Sequence, residues 1–188
     1  MNSIPFLLNC TTLILIAIAV TLVMVFGGRF QLASAAHPKD ELEIQKLTVC
    51  YALGIDAIGG GNLQEGKNIL LDCFTQEAEV TMNSATGVLA QRTGSDAWAD
   101  YAYSVYRERG YQATQHLIGS INVSVLNAKQ ATMSSYFLAT AKSETSVNVS
   151  NGTYYHEVVK EHGRWKIRRL TLNALQAPIL YTVNPQST

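Results

Sequence analysis

The apolar residues between positions 40 and 58 follow a helical period. They recur at spacings of three and four along one stripe: Ile44, Leu47, Tyr51, Ile55 and Ile58. This spacing predicts a buried amphipathic helix over residues 40–58. Three glycines at 59–61 then end the helix, because glycine adopts the left-handed cap conformation without steric cost. A shorter helix is predicted over residues 63–73. A third helix is predicted from Ser95, a suitable N-cap residue, to about Arg109.

The second half of the chain changes to a period of two. Apolar Ile121, Val123 and Val125 alternate with polar Asn122 and Ser124, as expected of a half-buried strand. Further strands are predicted over residues 131–141, 153–161 and 164–173, after a short strand at 79–82 and a loop at 83–93. Helices followed by an antiparallel meander predict an α+β fold, with the helices packed on one face of a curved sheet.

Residues 1–36 have the composition of a targeting segment. Residues 13–26 are an almost unbroken apolar run, and Ala33, Ser34 and Ala35 form an A-x-A pattern that signal peptidases cleave. We expect a signal peptide cleaved after Ala35 or Ala36. A spanning helix needs roughly 20 apolar residues, so an uncleaved membrane anchor is the open alternative. Either one predicts a domain over residues 37–176 that is exported (periplasmic or secreted) or membrane-anchored, with a draping or frayed tail over 177–188.

Charge and cysteine content narrow the function classes. The chain has 14 basic and 14 acidic residues and no basic block, which argues against a nucleic acid partner. No cysteine or histidine spacing resembles a zinc site, and no metal is predicted. Cys50 and Cys73 lie in the domain, and an exported chain could pair them. A disulfide and two buried free thiols remain equal alternatives.

Four segments, in order, resemble the SnoaL-like group of the nuclear-transport-factor-2-like superfamily. They are IQKLTVCYALGIDAIGGGNL, LLDCFTQEAEVTM, TQHLIGSINVSVLNAKQATMSSYFLA and GTYYHEVVKEHGRWKIRRLTL. The resemblance implies a cone-shaped roll, in which a strongly curved antiparallel sheet wraps N-terminal helices and encloses a cavity. It also implies a hydrophobic small-molecule ligand and a homo-oligomer, a dimer or trimer. Members include dehydratases, ketosteroid isomerases and non-catalytic subunits, so the resemblance supports the fold more than a reaction.

Tyr51, Asp56 and His116 are the predicted catalytic residues. Their arrangement resembles the bile-acid and scytalone dehydratases, which use Tyr, Asp and His around the cavity. His116 is the expected base, with Asp56 orienting it or acting as the base itself, and Tyr51 donating to a substrate oxygen. Such chemistry on a hydrophobic steroid-like or polyketide-like molecule requires no cofactor. The rival interpretation is a non-catalytic binding or oligomerisation protein of the same fold.

The side-chain directions of these residues make the prediction a demanding one. Tyr51 and Asp56 are separated by roughly 140° around an ideal helix. By strict alternation His116 shares a face with Asn122, opposite Ile121, unless a bulge at Gly119 changes the register. Among other residues, Trp98 and Tyr136 are predicted to contact substrate. His156 and His162 are predicted to lie on the surface, His156 standing where the family often has an acidic residue.

Overall fold

The structure is a computed structural model that describes residues 38–175 and 178–182. The targeting segment predicted over residues 1–36 lies outside these residues, so both alternatives for it stay predictions. Within the described part of the chain, no helix combines the length and apolarity needed to cross a membrane.

Three helices precede or interrupt the sheet. Their bounds are α1 Pro38–Gly59, α2 Leu63–Cys73 and α3 Ser95–Glu108. Proline at the first position and acidic residues in the first turn suit the start of α1. The Asn62 side chain caps α2 by accepting from the Glu65 backbone N–H at 3.2 Å. Helix α3 begins one residue earlier than a Ser95 N-cap implies, because Gly94 occupies the N-cap position and Ser95 is buried inside the first turn.

Seven strands form one curved, unclosed sheet. They are β1 Phe74–Ser84, β2 Gly87–Thr93, β3 Ala113–Asn127, β4 Gln130–Lys142, β5 Ser146–Glu161, β6 Arg164–Ala174 and β7 Ile179–Thr182. The order is β2-β1-β6-β5-β4-β3, and β7 pairs with the start of β5. The α+β architecture is confirmed. The sheet is mixed rather than purely antiparallel, because β1 runs parallel to β6.

Two predicted loops are strands. Residues 87–93, predicted as part of a loop, form β2 and pair antiparallel with β1. Residues 179–182, predicted to drape or fray, form β7 against the first residues of β5, from Ser146 to Val149. Strand β6 pairs with β5 only from Gly152 onward, so β7 supplies hydrogen bonds to the part of β5 that β6 does not reach.

Helix α1 lies against the concave face and carries the centre of the core. Its buried Tyr51 ring meets the rings of Phe74 and Tyr154 edge-on, at centroid distances of 6.0 and 5.2 Å. A disulfide joins Cys50 of α1 to Cys73 at the end of α2, with 6.0 Å between the Cα atoms. The structure therefore decides between the two alternatives for these cysteines in favour of pairing.

Candidate active site

A cavity of about 600 Å³ lies between the helices and the concave face of the sheet. Helices α1 and α3 form one wall, and residues of strands β1 to β6 form the other. Aromatic side chains dominate the lining: Tyr51, Trp98, Tyr101, Tyr106, Tyr111, Phe137 and Tyr154. Two alanines of β4, Ala139 and Ala141, take up little of the space beside His116. The site is therefore large enough for a drug-sized molecule and mainly apolar.

A β-bulge in β3 turns His116 toward this cavity. Before the bulge the partly buried residues are Thr114, His116 and Ile118, and after it they are Ile121, Val123 and Val125. The register with β4 shifts between Gly119 and Asn122, where Ser120 has a positive φ of 50°. The extra residue changes the parity of the strand. His116 and the apolar residues after the bulge consequently share one face, as the alternative considered from the sequence requires.

Asp56 holds His116 through two hydrogen bonds. Its Oδ1 lies 2.6 Å from His116 Nδ1, and its Oδ2 accepts from the His116 backbone N–H at 3.0 Å. Thr114 Oγ1 donates to the same carboxylate at 3.1 Å. The carboxylate accepts from Nδ1–H, so the neutral imidazole keeps its lone pair on Nε2. His116 lines the cavity and Asp56 does not, so Asp56 lies behind the histidine rather than beside the ligand space.

A glycine allows this close approach of α1 and β3. A Cβ atom at Gly59 would overlap the Thr114 side chain. The last turn of α1 can therefore press directly against β3, one turn beyond Asp56. The Arg107 guanidinium also donates to the Gly59 carbonyl at 2.6 Å, which ties the end of α1 to α3. The helix end that carries Asp56 is thus held from two sides.

Tyr51 points from the same helix into the cavity. Burial raises the pKa of Tyr51 well above its usual value; the nearby Trp98 indole opposes this shift and the Asp56 carboxylate adds to it. Its phenol is therefore a neutral hydrogen-bond donor at physiological pH. The large angle between Tyr51 and Asp56 around α1 fits the site, because the two side chains contact different parts of the molecule. Tyr51 faces the ligand space, whereas Asp56 reaches β3.

Comparisons with known proteins agree with this architecture. The profile of the SnoaL-like domain family matches residues 36–171. The chain belongs to the SnoaL-like domain family. Comparison with curated protein sequences finds no match.

Three of the solved structures that are similar to this SnoaL-like domain carry different assigned activities. One is a protein from Novosphingobium aromaticivorans assigned as an aromatic ring hydroxylase, with 21% identity, TM-score 0.61, and coverage of 79% of this chain and 96% of that one. A second, from the same organism, is assigned as a scytalone dehydratase, with 20% identity, TM-score 0.59, and coverage of 79% and 94%. A third is hexachlorocyclohexane dehydrochlorinase LinA type 2, with 17% identity, TM-score 0.61, and coverage of 78% and 90%. At these identities the likeness shows the fold.

Two residues of this SnoaL-like domain lie on a different face of their strands from the one expected. Tyr136 was predicted to contact substrate, but its side chain is 61% exposed. It points to the outer face because the neighbouring Phe137 points into the cavity. His156 was predicted to lie on the surface, but it is 0% exposed. It lies on the inward face of β5 together with Tyr154 and Val158. Trp98, the other predicted substrate contact, lines the cavity, and its contact with substrate stays a prediction.

Several lining residues were not predicted from the sequence. Tyr106 and Tyr154 face the cavity, and burial raises the pKa of each well above its usual value. Tyr111 accepts from Asn148 Nδ2 at 2.8 Å in the same wall. Tyr154 is adjacent to Tyr155 in sequence, so the alternation of the strand alone did not say which one faces inward. The helical position of Tyr106, eight residues after Trp98, could have indicated it.

Charge is sparse around the cavity of the SnoaL-like domain. Arg109, at the exposed end of α3, also belongs to the lining. Its guanidinium forms no ion pair or hydrogen bond with any residue that the structure describes. Across residues 38–175 and 178–182, no three His, Cys, Asp or Glu side chains are grouped as metal ligands would be. The polar chemistry of the lining therefore comes from His116, Arg109, the phenols, the Asn148 amide and several hydroxyls.

Proposed function

We propose that this domain is a cofactor-free general acid–base lyase or isomerase of the dehydratase type. Its substrate would be a hydrophobic, oxygenated small molecule such as a steroid or polyketide. The observation that carries the proposal is the 2.6 Å contact between Asp56 and His116 Nδ1, with the histidine lining a mainly aromatic cavity of about 600 Å³. A positioned imidazole beside an apolar ligand space is suited to removing a carbon-bound proton.

The proposed reaction gives each of the three residues a separate role. His116 Nε2 accepts a proton from the carbon next to a substrate carbonyl, and the C–H electron pair moves toward the carbonyl oxygen. Tyr51 donates a hydrogen bond to an oxygen on which negative charge develops. Asp56 stabilises the imidazolium. In an elimination, a β-hydroxyl then leaves as water with the proton from His116, and a C=C bond forms. In an isomerisation, the same proton returns to another carbon.

The names of two structural neighbours are in keeping with this chemistry. Scytalone dehydratase and hexachlorocyclohexane dehydrochlorinase are both named for eliminations. A third neighbour is assigned as a hydroxylase, so the fold does not choose the reaction. The proposal therefore depends on the Asp56–His116 pair and the phenol of Tyr51 rather than on the neighbours.

The test compares turnover with ligand binding in matched variants. Candidate β-hydroxy-ketones are assayed for dehydration, and exchange of their α-protons with deuterated solvent is followed by NMR. We expect His116→Ala to lower kcat by roughly 10²- to 10⁴-fold with ligand affinity retained, and Asp56→Asn to lower it less. His162→Gln is the control, since His162 is an exposed turn histidine. Unchanged turnover in His116→Ala would refute the assigned mechanism.

A non-catalytic binding protein is the second candidate. Asp56 also accepts from Thr114 and from the backbone of β3, so the carboxylate has a structural task even without catalysis. On this alternative, the wild-type domain would bind hydrophobic ketones without exchanging their protons. Asp56→Asn would then lower the melting temperature and change nothing else.

We also propose that the domain works outside the cytoplasm and as a homo-oligomer. The Cys50–Cys73 disulfide supports an oxidising compartment, because disulfides persist mainly in exported proteins. Exposed Leu117 and Leu138 are direct cross-strand partners on the outer face, next to Tyr136, and this supports a self-association surface. Cell fractionation tests the location, and light scattering of wild type against Leu138→Glu tests the assembly. A cytosolic, reduced protein or a wild-type monomer would refute the respective proposal.

A further inference from the structure

Two buried hydrogen-bond donors at the cavity have no partner among the described residues. They are the Tyr154 hydroxyl and the Trp98 indole Nε1. The two residues are 0% and 3% exposed, and both line the cavity. A buried polar group without a partner has lost its hydration and gained no hydrogen bond in return. Two such donors around one cavity are typical of a site in which a ligand supplies the missing acceptor.

The Tyr154 ring is fixed in place by its neighbours. Phe137 stacks on it at a centroid distance of 4.5 Å, and Tyr51 meets it edge-on at 5.2 Å. Burial raises the pKa of Tyr154 well above its usual value, and the neighbouring Tyr51 adds to that shift. The hydroxyl therefore keeps its proton and acts as a donor. The packed ring leaves it little freedom to seek a partner elsewhere.

Trp98 lies on the opposite wall, on α3. Its indole nitrogen can only donate. Its nearest acceptor is the Tyr51 hydroxyl, where it partly opposes the rise in the pKa of Tyr51 that burial causes, but it forms no well-aligned hydrogen bond. Tyr51 is thus the common neighbour of Trp98 and Tyr154, and the two unpartnered donors flank the phenol proposed to support the reacting oxygen.

We propose that Tyr154 Oη and Trp98 Nε1 form a two-donor site for a carbonyl oxygen, so that the substrate is a hydrophobic ketone. A carbonyl oxygen offers two lone pairs and no proton, which matches two donors. The Tyr51 hydroxyl is then left to donate to the leaving β-hydroxyl. A neutral ketone also loses less hydration on entering an apolar cavity than a carboxylate does. This inference deepens the proposed function, since it places the carbonyl that would activate the C–H bond facing His116.

Tyr111 provides a matched comparison within the same wall. Its hydroxyl already accepts from Asn148 at 2.8 Å, so it has no comparable need for a ligand. Tyr154→Phe and Tyr111→Phe each delete one oxygen from a buried tyrosine. The first removes an unpartnered group, whereas the second leaves the Asn148 amide without its acceptor. We therefore expect Tyr111→Phe to lower the melting temperature and Tyr154→Phe to leave it unchanged or raise it.

The binding test uses two rigid probes that differ by one carbonyl, 9-fluorenone and fluorene. We expect the wild-type domain to bind fluorenone about tenfold more tightly, and Tyr154→Phe to weaken fluorenone about fivefold with fluorene unchanged. Trp98→Phe should also reduce the preference, and Tyr111→Phe should keep it. The infrared carbonyl stretch of bound fluorenone should move to lower wavenumber in wild type and return part of the way in Tyr154→Phe.

Equal wild-type affinities for the two probes, or an unshifted carbonyl stretch, would overturn the carbonyl site. Both measurements are made on the wild-type protein, so a variant that fails to fold does not remove the test. His116→Ala separates this inference from the proposed reaction, because it should bind fluorenone with the same carbonyl shift. A normal carbonyl signature together with wild-type turnover in His116→Ala would refute the mechanism and leave the carbonyl site standing.

Discussion

His156 should make the fold sensitive to acid. The imidazole is 0% exposed, and neither ring nitrogen has a well-formed hydrogen bond among the described residues. Burial lowers the pKa of His156 from 6.5 to about 4, opposed only by the backbone of Met133 across the strand pair. The perturbation to make is therefore a change of pH from 7 to 4, compared between wild type and His156→Leu.

The sign and size of the effect follow from proton binding. Above pH 6.5 the imidazole is neutral in both the folded and the unfolded chain, so His156 contributes no pH dependence. Between pH 6.5 and about 4 the unfolded chain binds the proton and the folded chain does not. The free energy of unfolding therefore decreases as the pH is lowered through this range. The loss is about 2 kcal/mol at pH 5 and about 3 kcal/mol near pH 4, at 1.36 kcal/mol per pKa unit. Well below pH 4 the imidazole is protonated in both the folded and the unfolded chain, so the loss of stability reaches a constant value.

Urea unfolding followed by far-UV circular dichroism measures this loss. Other groups also titrate between pH 7 and pH 4, so the informative quantity is the difference between wild type and His156→Leu at each pH. We expect that difference to shift by about 2 kcal/mol in favour of His156→Leu between pH 7 and pH 5. A constant difference across this range would refute the reasoning, since it would mean that His156 titrates alike in the folded and unfolded chains.

Three further predictions test the supports of the site. Replacing Cys50 and Cys73 with serine should lower the free energy of unfolding by about 3 kcal/mol, from the loop that the disulfide closes; equal urea midpoints with and without the bond would contradict this. Gly59→Ala should destabilise by about 1–3 kcal/mol through overlap with Thr114, and Thr114→Ala should restore part of the loss. A gain in melting temperature, as at an open helical glycine, would refute the overlap. Ser120→Gly should raise stability by up to about 1 kcal/mol, because the positive φ of 50° suits glycine; a lower melting temperature would argue against that backbone conformation.

The helices could be predicted closely because their signals are local. The apolar period and the glycines after it located α1 to within two residues at each end, and α2 was predicted over the residues that it occupies. Strands β2 and β7 were missed because neither shows a clear alternation. Their existence depends on partners elsewhere in the chain, β1 for one and the start of β5 for the other.

The candidate site was predictable in its residue types and less so in its side-chain directions. Tyr136 and Phe137 are adjacent aromatic residues, and only the register of β4 decides which one faces the cavity. His156 was predicted to lie on the surface because histidine is a polar residue. The register of β5 decides instead, and it places His156 on the inward face. The unpartnered state of the Tyr154 hydroxyl depends on every neighbour around it. No pattern along the chain could reveal it.

The bulge in β3 divides the strand into two parts, and each part is held in place by different contacts. Ile118 and the apolar residues after the bulge pack against the core, while Thr114 and His116 are held by the carboxylate of Asp56. The irregularity absorbs one residue of mismatch between these two registers. The half that carries His116 can therefore change in sequence without re-aligning the half that packs the core. In evolutionary terms, residues near His116 can be exchanged for others while the register of the packed core stays the same.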